Sequence, residues 1–378
     1  MAVSIHSDFD GGNIEVVQAH GGGRFDLAIR PDHQSHYYQW FYFRVDGASG
    51  VDLELRLTNA GGSAYTGGWE GYKARISSDG AHWRQADTAY ADGVLSIRHR
   101  SASETLWVAY FAPYDSDRHR ALVERVKALA GISHRVLGQT LDGRDLDLFR
   151  VGEGPRVVWL YARQHPGETM AEWWMEGAIP WLCSDAPEAI ALRAAATFYI
   201  VLNCNPDGSA RGHLRTNAAG TDLNRQWAEP SAEKSPEVLA LRNAMDDTGV
   251  DFAIDVHGDE AIPHVFMAGF EGIPSWTPQR DVLYRRYLSA LSARTLDFQT
   301  TYGYAVDAPG QANLAVSTNA VAERFGAIAM TLEMPFKDHD DAPDAVEGWS
   351  PARSQALGVA CLKALSDVIT EIPPRARG

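Results

Sequence analysis

His165 and Glu168 stand three positions apart in LYARQHPGETMAEWW (Leu160 to Trp174), where an apolar run stops and a helical pattern begins. A turn leaving a strand can aim residues i and i+3 at one point, and Pro166 and Gly167 between them suit a tight non-helical bend. An imidazole and a carboxylate would hold zinc with one further protein ligand, leaving a fourth position for water. His257, which closes another strand-like run with Asp259 two residues beyond, is the candidate third ligand. The spacing alone also fits a first-turn carboxylate favoured by the positive end of a helix.

A second polar stretch, NPDGSARGHLRTNAAGTDLNRQW (Asn205 to Trp227), is too rich in Gly, Asn and Thr to be a buried strand. It carries Arg215, then Asn224 and Arg225 side by side. A guanidinium grips a carboxylate through two parallel bonds, so two arginines and an asparagine beside a metal would make an anion pocket. In a solvated loop the same residues would be ordinary surface arginines. Glu333, after AIAMTL, is either a strand-end acid or a catalytic one.

Four apolar runs must position these groups: RVVWLYA from Arg156, ATFYIVLN from Ala196, DFAIDV from Asp251 and AIAMTL from Ala327. Helical patterns lie between them, as in ETMAEWWMEGAIPWL, SPEVLALRNAMDD and QRDVLYRRYLSALSAR, and SPARSQALGVACLKALSDVIT follows the last. Trp173, Trp174 and Trp181 fit helix packing. TLDGRDLDLFRVG reads as a hairpin turning at Asp142 and Gly143. The alternation predicts an α/β unit, a mixed central sheet flanked by helices, over residues 118–378. Each apolar run ends in polar residues, and loops at the carboxyl ends of such strands converge on one crevice. Before residue 118 the chain reads as short strands rich in aromatic and β-branched residues, separated by turns, which predicts an all-β antiparallel sandwich over residues 1–117. The PPRARG tail reads as disordered.

The 378 residues exceed what one hydrophobic core usually serves, and 45% hydrophobic with 22% charged residues is a globular composition. A formal charge of -15 without a long basic cluster argues against nucleic acid as a partner. The absence of a long apolar run argues against a membrane span. Three widely spaced cysteines, Cys183, Cys204 and Cys361, imply neither a disulfide framework nor a zinc knuckle, and a cytoplasmic protein is expected.

Taken in order, HPGE, NPDG, RTNAAGTDLNRQW, DVHGDE and TLEMPFK resemble the zinc metallocarboxypeptidases, specifically the bacterial branch of the cytosolic carboxypeptidase subfamily. FDGGNIEVV and HYYQWFYFRV resemble the β-sandwich domain that precedes the catalytic domain there. The resemblance implies one zinc held by His165, Glu168 and His257. It implies Glu333 as the general base that moves a proton from water to the leaving amine, and Arg215 as the group that polarises the scissile carbonyl. Asn224 and Arg225 would hold the terminal carboxylate of a peptide, and Asp222 would orient His165.

The subfamily trims glutamates from acidic peptides, which implies an acidic substrate, with release of glutamate or another C-terminal residue. The charge of -15 opposes that unless Arg163, Arg211, Arg324 and Lys337 build a basic pocket. The stretch PGQANLAVSTN carries Gln311 and Asn313 where eukaryotic members have a basic residue. Tyr302 and Tyr304 are both candidates to touch substrate, His213 and His264 are candidate rim residues, and association with other copies is left open. The rival readings are an amidase or deacylase acting on small N-acyl amino acids on the same zinc scaffold, and a recognition module that has lost its chemistry.

Overall fold

The computed structural model describes residues 2–374, and the expected disorder of the PPRARG tail falls mostly on residues outside that range. Ten short strands form the N-terminal unit: β1 (Ser4–His6), β2 (Glu15–Gly21), β3 (Arg24–Ala28), β4 (Tyr42–Asp46), β5 (Asp52–Leu57), β6 (Arg75–Ser77), β7 (Arg84–Gln85), β8 (Asp87–Ala91), β9 (Val94–Arg100) and β10 (Thr105–Ala109). They make two five-stranded sheets, ordered β1-β4-β10-β6-β7 and β2-β3-β5-β9-β8. Strict alternation, as in β5 with Leu53, Leu55 and Leu57 buried, turns one face of each strand into the core. Pairing is antiparallel except between β3 and β5, which run parallel. The sequence pattern did not separate out β1, β2, β3 and β8. The six residues of β2 from Glu15 to His20 have no alternation of burial to reveal a strand, being exposed throughout.

The C-terminal unit opens with α1 (Ser116–Lys127), whose first turn is capped by Asp115 accepting from the Arg118 N–H. β11 (Ser133–Gln139) and β12 (Asp145–Val151) form the expected hairpin around Asp142 and Gly143. Then follow β13 (Arg156–Ala162), α2 (Met170–Leu182), α3 (Pro187–Ala195), β14 (Ala196–Val201), α4 (Pro206–Arg211), α5 (Pro236–Thr248), β15 (Phe252–Asp259), β16 (Phe266–Ala268), α6 (Pro278–Arg294), α7 (Ser317–Phe325), β17 (Ile328–Pro335) and α8 (Pro351–Val368). The seven strands form one mixed sheet, β11-β12-β14-β13-β15-β17-β16, with helices flanking it.

The four apolar runs are its central parallel strands, β14, β13, β15 and β17. All eight residues of β15 and of β17 are buried, as expected where both faces of a parallel sheet are covered. α2 packs along α8 so closely that a β-carbon on Gly177 would lie 2.3 Å from the Gln355 carbonyl oxygen. Trp174 is fully buried in this layer, and Trp173 donates from its indole N–H to the Ala112 carbonyl. NPDG opens α4 instead of making a simple turn: Asn205 accepts from the Gly208 N–H, and Pro206 occupies the first helical position.

Candidate metal centre and active site

The bend between β13 and α2 is built by a strained residue and a close approach. Arg163 takes φ +63°, an uncommon conformation for a residue with a β-carbon, and is held there by burial and by bonds to Glu172 (2.7 Å) and to the carbonyls of Tyr114 and Pro166. His165 C=O accepts from the Glu168 N–H, closing the turn that sets their side chains together. Gly167 lies against the 213–216 segment, where a β-carbon would meet the Leu214 carbonyl oxygen at 2.8 Å.

His165 Nδ1 is 2.6 Å from Glu168 Oε1, and His257 Nδ1 is 2.8 Å from Glu168 Oε2 and 3.2 Å from His165 Nδ1. All three side chains are buried, and their ligand atoms lie within 4.8 Å of one another. The outer ring nitrogens face carboxylates: His165 Nε2 is 3.1 Å from Asp222 Oδ1, and His257 Nε2 is 2.9 Å from Asp255 Oδ1, an ion-pair contact whose angle falls short of a hydrogen bond. A carboxylate behind each imidazole holds the Nε2–H tautomer and leaves the Nδ1 lone pair facing inward. Two such lone pairs and a carboxylate at these distances repel unless a proton or a cation sits between them, so the donor set fits zinc. Burial alone would raise the Glu168 pKa, but the two imidazoles hold it down at about 2. Burial would lower that of His257, yet Asp255 and Glu168 raise it well above the ordinary range.

His257 and Glu333 are register partners on β15 and β17, which sets the candidate base beside the candidate ligand. Glu333 is 6% exposed and its Oε2 has no hydrogen-bond partner among the described residues. Burial, and then the nearby carboxylates Glu168, Asp259 and Glu260, push its pKa well up, opposed by His257. The Tyr304 hydroxyl donates to Asp259 Oδ2 at 2.7 Å and lies 3.2 Å from Glu333 Oε1.

Arg215 donates from Nε to Asp222 Oδ2 at 2.8 Å and lies over the rings of Tyr37 and Tyr65 at 5.4 and 5.6 Å. Asn224 Oδ1 accepts from the Ser317 N–H at the start of α7, which leaves its amide N–H groups without a partner among the described residues. The Arg225 guanidinium bonds only to the Asn224 carbonyl and makes no ion pair among the described residues. These groups share one cavity of about 510 Å³ with His165, Glu168 and Glu333.

The expected basic pocket does not form. Arg163 is buried against Glu172, Arg211 pairs with Asp142, Arg324 pairs with Asp246, and Lys337 donates to the Gly67 carbonyl. None of the four lines the cavity. Tyr304 reaches the site, whereas Tyr302 stacks on His264 at 4.4 Å and does not line the cavity. His213 is structural, accepting from the His33 N–H and bonding the Thr216 carbonyl.

Several residues of the site escaped the sequence reading. Asp255 had a signal, since it sits two positions before His257 and therefore on the same strand face. Gln164 ties Asp255 (2.6 Å) to the Trp227 indole N–H (2.8 Å). Asp32, from the N-terminal unit, accepts from the backbone N–H groups of Leu214, Arg215 and Thr216 at 2.6 to 2.9 Å, and nothing in its own neighbourhood announces that. Tyr65, also from that unit, lines the cavity.

Two family models match the chain, a cytosolic carboxypeptidase N-terminal domain over residues 5–111 and a zinc carboxypeptidase over residues 121–356. A metallo-carboxypeptidase from Pseudomonas aeruginosa, solved in complex with (2-guanidinoethylmercapto)succinic acid, is 46% identical with a TM-score of 0.96, covering 98% of this chain and 100% of that one. A metallo-carboxypeptidase from Burkholderia cenocepacia is 40% identical with a TM-score of 0.95 over 98% of this chain and 100% of its own. An uncharacterized protein of Zymomonas mobilis is 56% identical over 99% of this chain and 98% of its own length. Cytosolic carboxypeptidase 1 of Danio rerio is 27% identical over 71% of this chain, which spans only 28% of that longer protein.

Proposed function

The chain belongs to the zinc carboxypeptidase family, and on that premise we propose that it hydrolyses the C-terminal peptide bond, or a terminal branch amide, of peptide substrates. The observation that carries this reading is one cavity that joins His165 and Glu168 of the His165–Glu168–His257 cluster to an Arg225 that makes no ion pair among the described residues. When bound by those three residues, zinc supplies Lewis acidity at the reacting carbonyl and makes water acidic enough for a carboxylate to deprotonate near neutral pH.

The protein's own groups then divide the work. Arg225 and the Asn224 amide hold the terminal carboxylate, which fixes the scissile bond between them and the metal ligands. Arg215 offers its guanidinium to the negative charge that develops on the carbonyl oxygen, an interaction strongest at the tetrahedral stage and therefore one that raises rate. Glu333 takes a proton from the attacking water and returns it to the leaving amine, so one water is consumed and a free amino acid is released. Asp222 holds both His165 and Arg215, coupling ligand orientation to oxyanion binding. The Pseudomonas aeruginosa relative binds a guanidinium-bearing dicarboxylate, and carboxylates are the chemistry that Arg225 and Asn224 would meet here.

We place the division between the two units at the start of α1, within two residues of the 117/118 boundary expected from the sequence, and the protein in the cytoplasm. Two features support the latter: its cysteines are free, and no helix among the described residues is long and apolar enough to cross a membrane. The test of function is digestion of peptides with free or amidated C-termini, followed by mass spectrometry with and without a chelator. Wild type should release single residues only from free C-termini and only with metal, and Arg225→Gln should narrow the free-to-amide preference by about 100-fold. Equal cleavage of both peptide forms by wild type would defeat the reading.

A further inference from the structure

The cavity carries its charges unevenly. Its two arginines, Arg215 and Arg225, belong to the loop that follows α4; its carboxylates are Glu168, Asp259, Glu260 and Glu333 around the candidate metal centre, and Glu271 and Asp307 on the wall that follows β16. β16 runs antiparallel to β17 with Phe266 opposite Glu333 and Ala268 opposite Thr331. Two strand residues span roughly 7 Å, so this wall leads from the candidate base to Ala268 over about the length of a long side chain.

Glu271 stands at the next step. Its carboxylate folds back over Gly269, where a β-carbon would meet Glu271 Oε2 at 2.3 Å and Tyr284 Cε1 at 2.6 Å, so glycine leaves the room that the carboxylate occupies. Burial raises its pKa, its own backbone N–H attracts it, and Arg285, a nearby cation, is already bound to Asp281 at 2.6 Å. Asp307 lies against the next backbone step on the same wall, with its β-carbon 2.6 Å from where a side chain on Gly272 would begin. The floor between the walls is neutral, since the Thr318 and Thr331 hydroxyls satisfy each other at 2.7 Å. Among the described residues, no cation on this side would pair with a glutamate side chain. Glu271 makes no ion pair among the described residues, and a half-buried carboxylate so placed costs desolvation until a positive partner arrives.

We propose that this pocket selects a C-terminal lysine or arginine, whose ammonium or guanidinium pairs with Glu271 and is flanked by Asp307 while Arg225 holds the terminal carboxylate. The assignment rests on the carboxypeptidase reading above and names its substrate class.

The zinc-loaded full chain is offered peptides identical except for a final Arg, Lys, Gln, Phe or Glu, and kcat/KM is measured for each. Arg and Lys should exceed Glu by roughly 100-fold or more, Glu271→Gln should bring the Arg-to-Gln ratio within about threefold, and Glu271→Arg should invert the Arg-to-Glu order. A wild-type preference for Glu over Arg overturns the proposal while leaving the peptidase reading intact, and so does a Glu271→Gln variant that loses all five substrates equally. If no peptide is cut, the peptidase reading fails, and calorimetry with free arginine and free glutamate decides the pocket. Arginine binding that is lost in Glu271→Gln supports the assignment, and glutamate binding of equal strength overturns it.

Discussion

Asp32 and Arg215 lie 183 positions apart, in different structural units, and meet where the Asp32 carboxylate accepts the Arg215 backbone N–H at 2.8 Å. The same carboxylate takes the N–H groups of Leu214 and Thr216 and the Thr216 hydroxyl, so one buried side chain fixes the backbone from which the candidate oxyanion-binding arginine projects. The N-terminal unit thereby shapes the site, and Tyr37 and Tyr65 cover the same guanidinium from that unit.

Asp32→Ala should therefore lower kcat by about 10- to 100-fold with a smaller change in KM, because a misplaced Arg215 forfeits stabilisation of the transition state more than ground-state binding. It should also cost roughly 3 kcal/mol in urea unfolding, from buried N–H groups left without an acceptor. Asp32→Asn keeps one acceptor oxygen and should recover part of both. An unchanged kcat in a folded Asp32→Ala protein would separate the two units functionally.

Glu333→Gln keeps the size of the side chain and removes its proton chemistry. The expected loss in kcat is about 10²- to 10⁴-fold, with zinc content measured by mass spectrometry still at one per chain. Residual activity within a few-fold of wild type would remove Glu333 from the role of base.

Asp255→Ala tests the carboxylate behind His257. Competition against a chelating dye should show zinc affinity reduced by about 10- to 100-fold, since the imidazole loses the group that fixes its orientation. Gln164, which also holds Asp255, should give a milder loss of the same kind when changed to Ala.

Glu237 predicts a pH effect far from the metal. Burial, with smaller contributions from Asp207 and Asp142, lifts its pKa to about 7 against the attraction of its own backbone N–H and of Asn217. Its unfolded value is near 4.5. Between those values the folded chain keeps a proton that the unfolded chain has released, so the stability this group contributes is complete below about pH 4.5 and is lost as pH rises through about 7. Glu237→Gln should gain stability over wild type across that window, by at most about 3 kcal/mol, and hold the gain above it. Urea unfolding at pH 5, 6, 7 and 8 checks the sign, and a variant whose difference from wild type does not grow with pH would refute it.

The sequence by itself determined the local parts. Apolar runs of strand length at Arg156, Ala196, Asp251 and Ala327 became the four parallel strands, because burial on both faces writes itself into every residue of such a strand. His165 and Glu168 were legible as a pair because a four-residue turn brings i and i+3 together regardless of the rest of the fold. His257, Glu333, Arg215, Asn224 and Arg225 were legible through their order along the chain, and the fold then brought Glu333, Arg215, Asn224 and Arg225 to one cavity, with His257 against Glu168 and Asp222 against His165 at its edge.

Tertiary structure alone decided which charges stay free. Arg163 and Arg225 look alike in sequence, yet one is consumed by Glu172 and the other faces the cavity without an ion pair among the described residues. Asp32 and Glu271 look like ordinary loop acids, yet one is filled by three backbone N–H groups and the other is left for a ligand. Such outcomes depend on long-range neighbours, since the worth of a charge in a protein is set by what surrounds it and by how much water remains there. Residue type and spacing fix what a side chain can do, and packing fixes whether another part of the same chain has already claimed it.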